Sequence, residues 1–257
     1  MIALRDLEVA YGDHVVARVP ALDLAAGEIV GLAGESGSGK SQTALAVLGL
    51  SRSLGATVRG SITLEGEELL GASEARWREL RGRRIAMVMQ SPRGSLNPTL
   101  RLGRYFRRTL ALHGIEGEDA ERRIAEALAD VSLDEALLDR YPHQVSGGQA
   151  QRFAIALAVA LRADVLLCDE PTSALDVTVQ AQVVALLKRL REEHGTAMLF
   201  ISHDLAVIGD LADRVVVMRD GAVVEQGTTA EVLHAPSDEY TRALLDAVPV
   251  IGEKRIA

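Results

Sequence analysis

The feature that most limits how this chain can fold is GESGSGKS, residues 34–41. It fits the pattern G-x-x-x-x-G-K-[ST]. The apolar run EIVGLAG (28–34) leads into it and the helical run KSQTALAVLGL leads out, which is the context the pattern requires. Glycines let the backbone wrap around phosphate groups, and amides at a helix start supply donors. Gly34, Glu35, Ser36, Gly37, Ser38, Gly39, Lys40, Ser41 and Gln42 are therefore expected to line a phosphate site. Lys40 is expected to reach the β- and γ-phosphates, and Ser41 to ligate Mg²⁺.

Further short apolar runs predict buried strands: RIAMVMQ (84–90), DVLLCDE (164–170) and AMLFIS (197–202). Helical patterns separate them: DAERRIAEALADV, GQAQRFAIALAVALR and VTVQAQVVALLKRLREEHG. Buried strands alternating with helices imply an α/β core with a mixed, mainly parallel sheet. ALRDLEVAYGD and HVVARVPALDL predict an antiparallel pair near the start. RVVVMRDG and AVVEQG predict a hairpin turning at Asp220-Gly221. The expected divisions are 1–96 (an antiparallel β subdomain and the first part of a P-loop core), 97–163 (an inserted α-helical subdomain), 164–235 (the rest of the core) and 236–257 (a tail carrying the short helix EYTRALLDAV).

In an open α/β sheet, ligands bind at the carboxyl ends of the strands. Asp169 and Glu170 close one predicted strand. An acid so placed beside a phosphate loop holds Mg²⁺, and a second can polarise an attacking water. Gln90 closes another strand and His203 follows a third, so both are placed to face the same ligand. Tyr11, just after the first strand, is placed to stack on an adenine ring or to be a plain surface aromatic. Far along the chain, YPHQVSGGQAQR (141–152) puts Ser146, Gly147 and Gly148 directly before an apolar helix, a second anion-binding helix start.

The bulk properties exclude several classes. A formal net charge of −8 argues against general nucleic-acid binding. The one cysteine, Cys168, lies in an apolar run, so neither an internal disulfide nor a cysteine-based metal site is expected. The first residues carry no secretory signal pattern. No run approaches the roughly 20 apolar residues of a membrane span. The expected location is cytoplasmic, with any membrane role supplied by partners. RLGRYFRR (101–108) is either a solvated helix face or a docking surface.

Together these motifs resemble the ATP-binding subunits of ABC transporters over nearly the whole chain. GESGSGKS is similar to the Walker A loop, VLLCDE to Walker B, SGGQ (146–149) to the ABC signature and SALD (173–176) to the D-loop. Gln90 resembles the Q-loop glutamine and His203 the switch histidine. QSPRGSLNP (90–98), DEPTSALDVTVQAQ (169–182), SHDLAVIGDLADRVVVM (202–218) and YTRALLDAVP (240–249) resemble the peptide/nickel importer group. The chain departs from that group in having no cysteine-rich tail after YTRALL, and Gln149-Ala150 where Met-Arg is common.

The resemblance implies ATP and Mg²⁺ as ligands and a head-to-tail dimer with an identical or homologous ATPase subunit. Ser146, Gly147, Gly148 and Gln149 of one subunit would close over ATP held by the other. It implies Ser41, Gln90 and Asp169 around Mg²⁺, Glu170 as general base, His203 at the γ-phosphate and Asp176 coupling the two sites. The implied partners are two membrane-spanning permease subunits and, indirectly, a substrate-binding protein. The implied location is the inner face of the cell membrane. The alternative is a non-transport ABC protein of the phosphonate carbon–phosphorus lyase type. A DNA-repair type is disfavoured by the acidic charge and the lack of a long coiled-coil insertion.

Overall fold

The structure is a computed structural model that describes residues 1–173 and 175–247, with Arg93 described by its backbone alone. Ala174 of SALD and the last positions of the expected tail helix lie outside the described residues.

The chain opens with β1 (Ile2–Tyr11) and β2 (His14–Leu24), paired antiparallel as their alternation predicts. β3 (Ile29–Ala33) is buried at every position and runs into the phosphate loop, which α1 (Lys40–Val47) closes. β4 (Thr57–Leu64) pairs antiparallel with β1 on one side and with the two-residue β5 (Glu67–Glu68) on the other. The Ser73 side chain caps α2 (Glu74–Leu80), and β6 (Ile85–Val88) follows.

Four helices then succeed one another with no strand between them: α3 (Pro92–Ser95), α4 (Leu102–Leu112), α5 (Gly117–Asp130) and α6 (Gly147–Leu161). The remaining elements alternate as a wound sheet does: β7 (Val165–Asp169), α7 (Val177–His194), β8 (Ala197–Ile201), α8 (Leu205–Leu211) and β9 (Arg214–Arg219). β10 (Ala222–Thr228), α9 (Thr229–His234) and α10 (Glu239–Asp246) complete the described chain. The β9–β10 hairpin turns at Asp220 and Gly221, both at positive φ (48° and 80°).

All ten strands form one sheet, ordered β5-β4-β1-β2-β10-β9-β3-β8-β7-β6. The block β9-β3-β8-β7-β6 is parallel throughout. The amino-terminal antiparallel strands join it through a short parallel pairing of β10 with β2 at Ala222 and Arg18.

Strand side chains alternate between two cores. Leu166, Cys168, Met198 and Phe200 face the layer built from α4, α5, α6, α7 and α8. Val165, Leu167, Leu199 and Ile201 face the layer that holds α1, Trp77 and the inner side of the antiparallel strands. The helices α1 and α6 therefore pack on opposite faces of the sheet. Phe106 and Phe153 meet edge to face at 5.4 Å, locking α4 to α6.

Candidate functional site

Every parallel strand of the central block ends on one edge of the sheet, and the chemistry-bearing residues collect there. The phosphate loop leaves β3 with Gly34 at φ 140°. A Cβ at Gly34 would stand 2.1 Å from Met218 O, so only glycine fits. Gly39 at φ 99° is likewise confined, because a Cβ there would meet Val16 O at 2.5 Å. The loop is thus pressed against the β9 end and β2 before it turns into α1.

Lys40, 5% exposed, is folded back over this loop. Its Nζ donates to Gly34 O at 2.8 Å, Glu35 O at 2.7 Å and Ser38 Oγ at 3.3 Å. Burial pushes its pKa down, while Glu170, Asp169 and Glu35 pull against that by holding negative charge nearby. Tyr11 is the last residue of β1 rather than a residue beyond it, and its Oη donates to Gln42 Oε1 at 3.2 Å, which ties the strand end to α1.

Strand alternation explains how the two acids divide. Asp169 shares the side of Val165 and Leu167, toward α1, and Ser41 Oγ donates to its Oδ1 at 2.9 Å. Desolvation raises the Asp169 pKa and the neighbouring Glu170 adds to it, against the Ser41 hydrogen bond and the charge of Lys40. Glu170 follows at φ 47°, so the chain leaves the strand line at this residue. Its amide donates to Ile201 O at 3.0 Å, and Ser173 Oγ donates to its carbonyl at 3.1 Å.

The Glu170 carboxylate is held at both oxygens. Gln90 Nε2 donates to Oε2 at 2.8 Å, and His203 Nδ1 lies 3.3 Å from Oε1. His203 stands in the tight passage from β8 to α8, just before Asp204, whose carboxylate caps α8 by accepting from Ala206 N at 2.9 Å.

Two groups of candidates lie apart from this cluster. At the start of α6, Ser146 Oγ accepts from Gln149 N at 3.2 Å, and Gln149 Oε1 accepts from Ser146 N at 3.0 Å. This reciprocal capping box gives Gln149 a structural duty of its own. Gly147 is exposed, with open space where a Cβ would be. Asp176 caps α7, its Oδ1 accepting from Val179 N at 3.0 Å.

The stretch RLGRYFRR is split by the fold. Phe106 is core, and Arg107 makes a two-point pair with Glu121 at 2.6 and 2.8 Å. Arg104 and Arg108 are exposed. Cys168 is buried, with its thiol pushed up to about 12 by desolvation, so it is unreactive.

The donor set suits a nucleotide and a hard divalent cation. Lys40 and the loop amides match phosphate oxygens. Ser41 and Asp169 offer adjacent oxygen ligands, and among the described residues no cluster of three or more His, Cys, Asp or Glu could cage a metal alone. A Ser–Asp oxygen pair is compatible with a Mg²⁺ ion, which keeps waters and substrate phosphates and takes one or two protein ligands. Sequence reasoning missed Tyr240, whose hydroxyl touches the loop from α10; only the fold brings it there.

A parallel sheet that delivers a glycine-rich loop and an acid pair to one edge defines a P-loop nucleotide-binding protein. More narrowly, residues 18–173 match the ABC transporter family, and the chain belongs to that family. Among its relatives, the glutathione import ATP-binding protein GsiA of Salmonella typhimurium is 44% identical over 270 residues, covering 99% of this chain. The chain spans only 43% of the length of GsiA. The "Probable peptide ABC transporter ATP-binding protein y4tR" of Sinorhizobium fredii is 41% identical over 257 residues, covering 97% of this chain and 77% of that protein. The ATP-binding cassette MJ0796, solved as a dimer in a post-hydrolysis state with ADP and Pi, superposes with a TM-score of 0.78 at 28% identity. That match covers 89% of this chain and 99% of MJ0796. Among the described residues no helix is long and apolar enough to cross a membrane.

Proposed function

We propose that this chain is the ATP-hydrolysing nucleotide-binding subunit of an ABC importer for peptides, nickel or a metal chelate across the cytoplasmic membrane. The observation that carries the reading is the convergence on one sheet edge of Lys40, the Ser41–Asp169 pair and the Gln90–Glu170–His203 cluster.

In this reading the loop Gly34–Ser41, through its amides other than that of Glu35, and the Lys40 ammonium bind the phosphates of ATP. Ser41, Asp169 and Gln90 would hold Mg²⁺, which would supply positive charge against the phosphate oxygens. Glu170 is the general base. Gln90 and His203 grip its two oxygens, so the carboxylate is fixed in direction before it takes a proton from the attacking water. His203, exposed beside it, has a ring edge to offer the γ-phosphate. Tyr11 stacks on the adenine ring while its hydroxyl stays on Gln42.

The signature residues serve a second subunit. α1 and α6 pack on opposite faces of the sheet, which supports assigning Ser146, Gly147, Gly148 and Gln149 to a nucleotide held mainly by another chain. Asp176 at the α7 cap couples the two sites across that head-to-tail dimer. Closure by ATP and opening after hydrolysis follow from differential affinity for the closed state. The proposed location is the inner membrane face, against two permease subunits.

The relatives above are named as glutathione import and peptide transporter ATP-binding proteins, which favours the importer over the carbon–phosphorus lyase alternative. Affinity capture of the tagged chain from detergent-extracted native membranes tests the choice. The importer reading expects two membrane-spanning subunits to co-purify and the complex to hydrolyse ATP. Co-purification with a soluble lyase complex and no membrane subunit contradicts it.

A further inference from the structure

One peptide unit at the entrance of the phosphate loop is held at both edges. Its carbonyl, Gly34 O, accepts from Lys40 Nζ at 2.8 Å. Its amide, Glu35 N, donates to Tyr240 Oη at 3.0 Å. Gly34 itself supplies no restraint, because φ 140° belongs to the broad space open to glycine. Turning this unit over would exchange a donor for an acceptor at the mouth of the loop. Lys40 guards against that only while its ammonium rests on Gly34 O. When the ammonium moves to phosphate, the Tyr240 hydroxyl is the remaining one of these two restraints.

Tyr240 is well fixed for such a role. It is 8% exposed and lies in the first turn of α10. The helix is fastened to β10 by the Glu225 carboxylate, which accepts from Ser237 N at 2.7 Å, Ser237 Oγ at 2.8 Å and Asp238 N at 3.3 Å. Asp238 Oδ1 in turn accepts from Tyr240 N at 2.8 Å. The Arg219 guanidinium, at the end of β9, sits 4.9 Å from the Tyr240 ring centroid. Burial raises the phenol pKa, which keeps the oxygen protonated and neutral at working pH.

We propose that Tyr240 is a positioning residue for the nucleotide: through its hydroxyl on the Glu35 amide it fixes the first peptide of the phosphate loop, and this one contact strengthens the binding of ATP. The inference rests on the ATP-site reading above.

Tyr240→Phe is the direct test, because it keeps the ring under Arg219 and removes only the acceptor. Losing one such hydrogen bond is expected to raise the KM and Kd for ATP about 3- to 10-fold, with kcat changed less than about 2-fold. Arg242→Ala, on the same helix, removes donors to Pro236 O and Ser237 O but no contact with the loop, and is expected to leave both constants unchanged. Unchanged ATP affinity in Tyr240→Phe overturns the inference, as does an equal shift in Arg242→Ala. Should Tyr240→Phe fail to fold, amide exchange at Glu35 in the wild-type chain decides. Slow exchange supports the hydroxyl contact, and exchange at the unfolded rate overturns it. A wild-type chain that binds no ATP refutes the functional reading and the inference with it. ATP binding by wild type with unchanged affinity in Tyr240→Phe refutes the inference alone.

Discussion

Asp169 is charged in a setting that favours its neutral form. Burial and the adjacent Glu170 raise its pKa above the ordinary 3.8, and the Ser41 hydroxyl and Lys40 offset only part of that. An acid with a raised folded-state pKa gives full stability below its unfolded value, and that stability is lost as pH rises through the folded one. At neutral pH an ionised Asp169 is therefore a cost to the fold, which its proposed role toward the cation accounts for. Asp169→Asn removes the charge and can still accept from Ser41. It is expected to raise Tm at pH 7 by a few degrees, with the gain shrinking as pH falls toward 3.8. Mg²⁺-dependent ATP hydrolysis is expected to drop by about 100-fold or more. Thermal melts across pH and a phosphate-release assay check the two halves. An Asn variant that is less stable at pH 7 than at acid pH, relative to wild type, contradicts the sign.

At the scale of elements, the residues at the start of α6 that are proposed to bind nucleotide also form its capping box. Ser146→Ala removes the cap on Gln149 N and should cost about 1 kcal/mol, lowering Tm by about 2–4 °C. Gln149→Ala removes only the return bond to Ser146 N and should cost less, both measured by thermal denaturation. Equal effects would mean that the N-cap hydroxyl contributes no more than the return bond. The elements around the site were legible because local signals agree there. EIVGLAG, DVLLCDE and AMLFIS each hold a short apolar stretch bounded by polar residues or glycine, and Asp220-Gly221 has the hairpin composition. β4 is not legible in the sequence because its alternation is broken at Gly60, where a Cβ would stand 2.3 Å from Asp6 O and the register against β1 shifts. The split of RLGRYFRR was illegible for a different reason. Whether Arg107 meets a partner or Glu121 depends on how α4 and α5 dock, which no window of sequence contains.

For the whole molecule, the sheet sorts the chain into two cores and brings residues distant in sequence to one edge. Ser41 meets Asp169, Gln90 meets Glu170, and Tyr240 meets Glu35. Their identities were readable as motifs, except for Tyr240, and their contacts were not. Within the helical layer, the contact between α5 and α7 is lightly built where it is exposed. Arg189 of α7 pairs with Asp130 of α5 at 2.5 Å, both partly open to solvent. Such pairs contribute about 1 kcal/mol or less, so this one orients the two helices more than it locks them. That leaves the catalytic cluster as the part of the account with the sharpest consequence. Glu170→Gln preserves shape and removes the base. Single-turnover and steady-state ATP hydrolysis, measured beside equilibrium ATP binding, test it most directly. The account predicts a fall in kcat of about 10²- to 10⁴-fold, with ATP still bound. Turnover within about twofold of wild type would contradict the assignment of Glu170 as the base.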